Sequence, residues 1–80
     1  MPLGGKKMNF PSREIVERLR RRFPVGARVV LDKMDDMQAP PVGTEGTVRG
    51  VDDAGSIMVV WDNGSTLGVV FGEDLCHSIA

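Results

Sequence analysis

Glycines at turn spacing constrain this chain more than any other feature. Gly43-Thr44-Glu45-Gly46-Thr47-Val48-Arg49-Gly50-Val51-Asp52 leads through Asp53-Ala54-Gly55 into Ser56-Ile57-Met58-Val59-Val60-Trp61-Asp62-Asn63-Gly64. These are two short β-rich runs joined by one glycine turn and closed by another. Asn63-Gly64 is a strong short hairpin signal, because both residues tolerate positive φ. Successive strand side chains point to opposite faces, so Ile57, Val59 and Trp61 are expected inward and Met58 and Val60 outward.

The same reading extends along the chain. Strands are expected at Ala27 to Lys33, Thr44 to Val51, Ser56 to Trp61, Thr66 to Phe71 and Cys76 to Ile79, with a single tight helical turn at Gly72-Glu73-Asp74-Leu75. The glycines at 43, 46 and 50 are expected as the bends or bulges that a small barrel needs in order to curl. Met34 to Val42 is read as a loop, turned by Asp35-Asp36 and stiffened by Pro40-Pro41. The expected core is Val29, Leu31, Val48, Val51, Ile57, Val59, Trp61, Leu67, Val69, Phe71, Leu75 and Ile79.

Ahead of the strands, residues 12–23 read as an amphipathic helix. Ser12 follows Pro11 and suits an N-cap, since its hydroxyl can accept an orphan backbone N–H. Ile15, Val16, Leu19 and Phe23 share one face at helical spacing. Glu14 and Arg18, and Glu17 and Arg21, are spaced for i,i+4 ion pairs. Arg20, Arg21 and Arg22 fall in the last turn, where cations suit the helix dipole, and Pro24 ends the helix. Residues 1–9 read as a flexible N-terminal tail, with Met8 as an alternative start. Residues 10–80 read as a single domain, with the β region at 25–79.

Eighty residues allow one small core. There is no run of 18 or more apolar residues and no secretory signal pattern at residues 1–10. The single cysteine, Cys76, excludes an internal disulfide framework and fits a cytoplasmic setting. Net charge is −1, yet it is segregated. Residues 1–28 carry eight basic against two acidic side chains, net +6, and residues 29–80 carry two basic against nine acidic, net −7. Such a split marks either a nucleic-acid-binding arm or a basic part docked on the acidic part of the same molecule.

The glycine pattern resembles a known fold. Gly26-x-x-Val29, Gly43-Thr44-x-Gly46-Thr47-Val48 and Val51-Asp52-x-x-Gly55-x-Ile57-x-Val59-x-Trp61-Asp62-x-Gly64 look like an SH3-like barrel of the KOW or translation-protein type. With Asn9-Phe10-Pro11-Ser12, the helix and Phe23-Pro24-x-Gly26, residues 9–79 are similar to a family of small bacterial and phage proteins, domain of unknown function forty-three fourteen. The resemblance implies a mainly β fold, a five-stranded SH3-like barrel preceded by one N-terminal amphipathic helix. It brings no catalytic motif. KOW-type domains usually carry basic loops, whereas this barrel segment is acidic, which argues against nucleic acid on the barrel itself.

No constellation for catalysis stands out. Cys76 and His77 are adjacent on a strand and point apart, so they form no dyad. Asp35-Asp36, Asp52-Asp53 and Glu73-Asp74 lie at turns, where acids are locally favoured, and lack the spacing of a calcium loop. Gly43 to Thr47 lacks the lysine and following helix of a phosphate loop. No catalytic, cofactor or metal residues are therefore assigned, and the chain is expected not to be an enzyme.

Two surfaces remain. Met34, Met37, Pro40 and Pro41 on the long loop and Met58, Val60 and Val70 on the outward strand faces form a candidate interaction surface, covered either by the apolar face of the helix or by another chain. Lys6, Lys7, Arg18, Arg20, Arg21 and Arg22 are the candidate nucleic-acid contacts, without interleaved aromatics for stacking. The expectation is an interaction module of bacterial, phage or mobile-element origin that binds a protein or itself, the latter as a homo-oligomer. The alternative is an accessory protein that binds nucleic acid through the arginine-rich helix.

Overall fold

Helix α1 spans Arg13–Arg22 in the computed structural model, which describes residues 11–79. The Ser12 side chain accepts from the Ile15 N–H at 3.3 Å, and Phe23 closes the helix by donating its N–H to the Leu19 carbonyl at 2.8 Å. The expected pairs Glu14–Arg18 and Glu17–Arg21 do not form. Glu17 instead faces Arg13 at 3.8 Å, and Arg20 reaches away from the helix altogether.

Five antiparallel strands follow in one sheet: β1 Arg28–Lys33, β2 Glu45–Val51, β3 Ser56–Trp61, β4 Val69–Val70 and β5 Leu75–Ile79, ordered β4-β3-β2-β1-β5. The two edge strands are consecutive in the chain, joined by Phe71 to Asp74 alone. Strands lie about 4.8 Å apart, so four flat steps would separate these edges by about 19 Å. The turn is far tighter, since the Val70 carbonyl accepts the N–H groups of Glu73 at 3.0 Å and Asp74 at 2.9 Å. The sheet must curl to satisfy both. Among the described residues no hydrogen-bonded ladder joins β4 to β5.

Extra residues help the curl. The register shifts between Val48 and Gly50 on β2, and between Leu31 and Lys33 on β1. Gly50 thus sits at a bulge as expected. Gly46 does not: it is regular strand, and its need is for space. A Cβ there would lie 2.6 Å from Val59 Cγ1, 2.8 Å from Trp61 Cε3 and 2.9 Å from the Val60 carbonyl.

The core runs along the inner face of β1, β2 and β3. Val29, Leu31, Val48, Val51, Ile57, Val59, Trp61 and Val69 are buried as the alternation requires, and Val16, Leu19 and Phe23 of α1 complete the same cluster. Ile15 is only partly buried. Trp61 satisfies its indole N–H on the Leu67 carbonyl at 2.8 Å.

Four expected core positions differ. Phe71 is 43% exposed and Leu75 58% exposed, while Leu67 and Ile79 are half-buried. The cause at Phe71 is the length of β4. A strand expected over 66–71 is reduced to Val69–Val70, because Trp61 draws the preceding residues out of the ladder: its backbone N–H bonds the Ser65 carbonyl at 2.8 Å and its indole takes Leu67. The next turn starts at once after Val70, so alternation does not carry to Phe71. Leu75 opens an edge strand opposite Lys33. The hairpin after β3 also differs: among non-glycine residues described, none has positive φ, so Asn63 acts through its side chain, which accepts the Ser65 N–H at 3.0 Å.

Candidate interaction surface

Among the described residues nothing covers the side chains that point away from the core on β3 and β4. Met58 is 42%, Val60 38% and Val70 36% exposed. The helix does not cover them, because its apolar face is committed to the core on the other side of the sheet. Arg20 holds α1 there. Its Nε and Nη2 donate to the Val51 carbonyl at 3.0 and 2.9 Å, and Nη2 reaches Asp53 Oδ1 at 2.9 Å.

Met58 and Val70 border an open groove of about 440 Å³. Met34, Met58, Leu67 and Val70 form its apolar floor, and Asp35, Asp36, Asp52, Glu73 and Asp74 its rim. No lysine or arginine lines it among the described residues. Part of the rim has local work. Asp36 accepts the Gln38 N–H at 2.7 Å, Asp52 accepts the N–H groups of Ala54 and Ser56 at 3.0 and 2.8 Å, and Asp74 accepts the Val70 N–H at 2.9 Å. These bonds shape the turns and aim the carboxylates. Asp35 and Glu73 make no such bond among the described residues.

Of the expected surface, Met34, Met58 and Val70 come together in this groove. Met37 stands free at a loop tip at 102% exposure, Pro41 is exposed, Pro40 is buried, and Val60 lies outside the groove opposite Thr47. The acidic rim takes five of the six acids that the sequence showed as three separate pairs at turns; the sixth, Asp53, pairs with Arg20. Their convergence depends on the β3–β4 pairing and on the fold of the 34–42 loop. Among the described residues no three His, Cys, Asp or Glu side chains gather as metal ligands.

The basic candidates separate too. Arg18, Arg21 and Arg22 are exposed on α1, with Arg22 stacked 5.6 Å from the Phe23 ring centroid, whereas Arg20 is the tether to Val51 and Asp53. Lys6 and Lys7 lie outside the described residues.

This geometry belongs to a recognised family. Residues 12–79 match the family model described as Domain of unknown function (DUF4314). The chain belongs to the DUF4314 family. No curated protein matches it.

Two further clusters of this DUF4314 domain were not legible beforehand. Arg28 binds Asp62 in bidentate fashion, Nη1 to Oδ1 at 2.9 Å and Nη2 to Oδ2 at 2.6 Å, and also reaches Thr47 Oγ1 at 2.9 Å and Glu45 Oε1 at 3.2 Å. The guanidinium holds the Asp62 carboxyl below the usual carboxylate range and is itself made harder to deprotonate. On β5, His77 Nδ1 meets Asp32 Oδ2 at 2.8 Å, while Cys76 points to the other face and packs against the core. Burial raises the Cys76 thiol to about 11, with the Asp32 charge adding and Arg22 opposing. Such a thiol is protonated at neutral pH and a poor nucleophile.

Proposed function

We propose that this chain is a non-enzymatic interaction module, an SH3-like barrel that binds another protein through the groove floored by Met34, Met58, Leu67 and Val70. One observation carries the reading. The helix places its apolar face on the core, so the outward residues of β3 and β4 remain an uncovered apolar floor inside an acidic rim. An apolar centre with a charged rim is the layout of an interaction site. The barrel reading draws support from the curl imposed when two edge strands share a four-residue turn. The test compares wild type with Met58→Lys/Val70→Lys in affinity capture. A protein retained by wild type and lost from the variant supports the module; identical recoveries from both remove it.

The exposed Arg18, Arg21 and Arg22 favour a second reading, binding of nucleic acid along α1. Affinity from phosphate contacts falls steeply with salt. A gel shift at low salt that weakens at moderate salt and is lost in Arg18→Ala/Arg21→Ala/Arg22→Ala would support it; no shift at low salt would end it.

A further inference from the structure

The groove carries a charge pattern as well as an apolar floor. Its carboxylates come from three separate turns: Asp35 and Asp36 on the loop after β1, Asp52 on the turn after β2, and Glu73 and Asp74 on the turn after β4. Two of them are fixed at one rung of the sheet. Ser56 and Val70 are cross-strand partners, and Asp52 accepts the Ser56 N–H at 2.8 Å while Asp74 accepts the Val70 N–H at 2.9 Å. Partners on antiparallel strands sit about 5 Å apart, so two like charges are held close together. Among the described residues no lysine or arginine lines the groove to offset them.

These carboxylates have capacity to spare. A carboxylate offers about four lone-pair positions. Asp74 uses one on the Val70 N–H, and Asp52 uses two, on the N–H groups of Ala54 and Ser56. Asp35 and Glu73 are exposed and make no side-chain hydrogen bond among the described residues. Negative charge spread along a groove matches several single cations carried on one chain. The floor adds a second requirement. Met34, Met58, Leu67 and Val70 offer apolar contact, and methionine adapts to side chains of different shape. A second copy of this chain meets only the first requirement through its helix. Its exposed Arg18, Arg21 and Arg22 lie on an α1 whose Val16, Leu19 and Phe23 are already buried in its own core, so that helix brings charge without an apolar stripe.

We propose that the groove binds a basic peptide segment of another protein, one in which Lys or Arg residues flank one or two apolar side chains. The apolar side chains lie on Met58 and Val70, and the cations meet the carboxylates of the three turns. The proposal rests on the groove reading above and adds the chemistry of the partner. Anionic ligands are repelled from this face. The attraction acts at an open surface, so it weakens as salt shortens the screening length, about 8 Å at 0.15 M ionic strength.

A random-peptide display library panned on the full chain at low salt tests this. The enriched peptides are expected to carry Lys or Arg on both sides of an apolar residue. A synthetic copy of the most enriched one should shift the methyl resonances of Met34 and Met58 and leave Met37, outside the groove, in place. Its affinity should fall about tenfold in D35K/E73K, which reverses two charges without breaking a turn hydrogen bond. It should fall by a similar factor in M58S/V70S, which removes the floor without adding charge. All four substituted side chains are exposed, so both variants keep the fold. Enriched peptides without bases overturn the proposal, as does no enrichment at low salt. A basic peptide whose affinity is unchanged in either variant overturns it too. A wild-type dimer in sedimentation that M58S/V70S makes monomeric would assign the groove to a second copy and overturn it as well. Failure of the groove reading looks different: a ligand lost from M58S/V70S but retained by D35K/E73K keeps the floor as a binding site and removes only the basic chemistry.

Discussion

Strand β3 carries two surfaces of nearly equal hydrophobicity with opposite fates. Ile57, Val59 and Trp61 are 4%, 2% and 1% exposed, whereas Met58 and Val60, interleaved with them, are 42% and 38% exposed. Val59 and Val60 are the same residue, one bond apart in the chain. What separates them is the core cluster, in which the inner residues of β3 join Val29, Leu31 and Val48 and the Val16, Leu19 and Phe23 face of α1, while among the described residues nothing buries the outer ones. Apolar character alone therefore does not say which face is core. Membership of the one core cluster does, and the opposite face stays exposed.

That contrast is open to direct test. The largest effect is expected for Trp61→Ala, which removes a fully buried indole and its bond to the Leu67 carbonyl, at a cost of about 3–5 kcal/mol. Val60→Ala on the opposite face should stay within about 0.5 kcal/mol. Urea denaturation of the two variants measures both, and comparable losses would erase the distinction between the faces.

Arg20→Ala tests what keeps the helix on the inner side. Its bonds to Val51 and Asp53 link α1 to the end of β2, but the side chain is 45% exposed, so a loss of about 1 kcal/mol is expected. Arg21→Ala, without a partner of this kind among the described residues, should be close to neutral. Thermal unfolding of the pair checks this, and equal melting temperatures would show that packing alone seats the helix.

The smallest effect belongs to the outer face. Asp62 is held below the usual carboxylate range by Arg28, so its folded pKa lies below its unfolded value. Its contribution to stability is then complete above the unfolded value, about 3.9, and is lost as pH falls through the depressed folded value. An NMR titration should place the Asp62 midpoint below that of an ordinary aspartate, and Arg28→Ala should return it toward that value. An unchanged midpoint in Arg28→Ala would show that the clamp does not act on the carboxylate.

Much of the fold was legible because its signals are local. Alternation over Ser56 to Trp61 marks the inner residues of β3, and Ser12 and Pro24 mark the limits of the helix. The reading failed where a distant group intervened. Phe71 was expected inward by counting in twos from Val69, but the turn bonded to the Val70 carbonyl begins directly after β4, so the count stops at Val70. The groove was half legible: Met58 and Val70 were singled out for their outward parity and Met34 for its place on the long loop, while Asp35, Asp52 and Glu73 were seen only as turn residues. Turn chemistry explains each acid on its own and hides the fact that they meet.

The amino-acid order by itself determined one helix, the β-rich runs with their turns, and a strand with apolar residues on both sides. These follow from neighbours in the chain, where steric preference and the period of two act over a few residues. The tertiary structure alone decided which side the helix covers, that Arg20 and Arg28 act as clamps, and that acids from three turns share one groove. Those outcomes depend on contacts such as Arg20 to Val51 and Arg28 to Asp62, separated by 31 and 34 residues. No local pattern encodes such contacts, because they form only once β1, β2 and β3 have paired and the helix has packed on them.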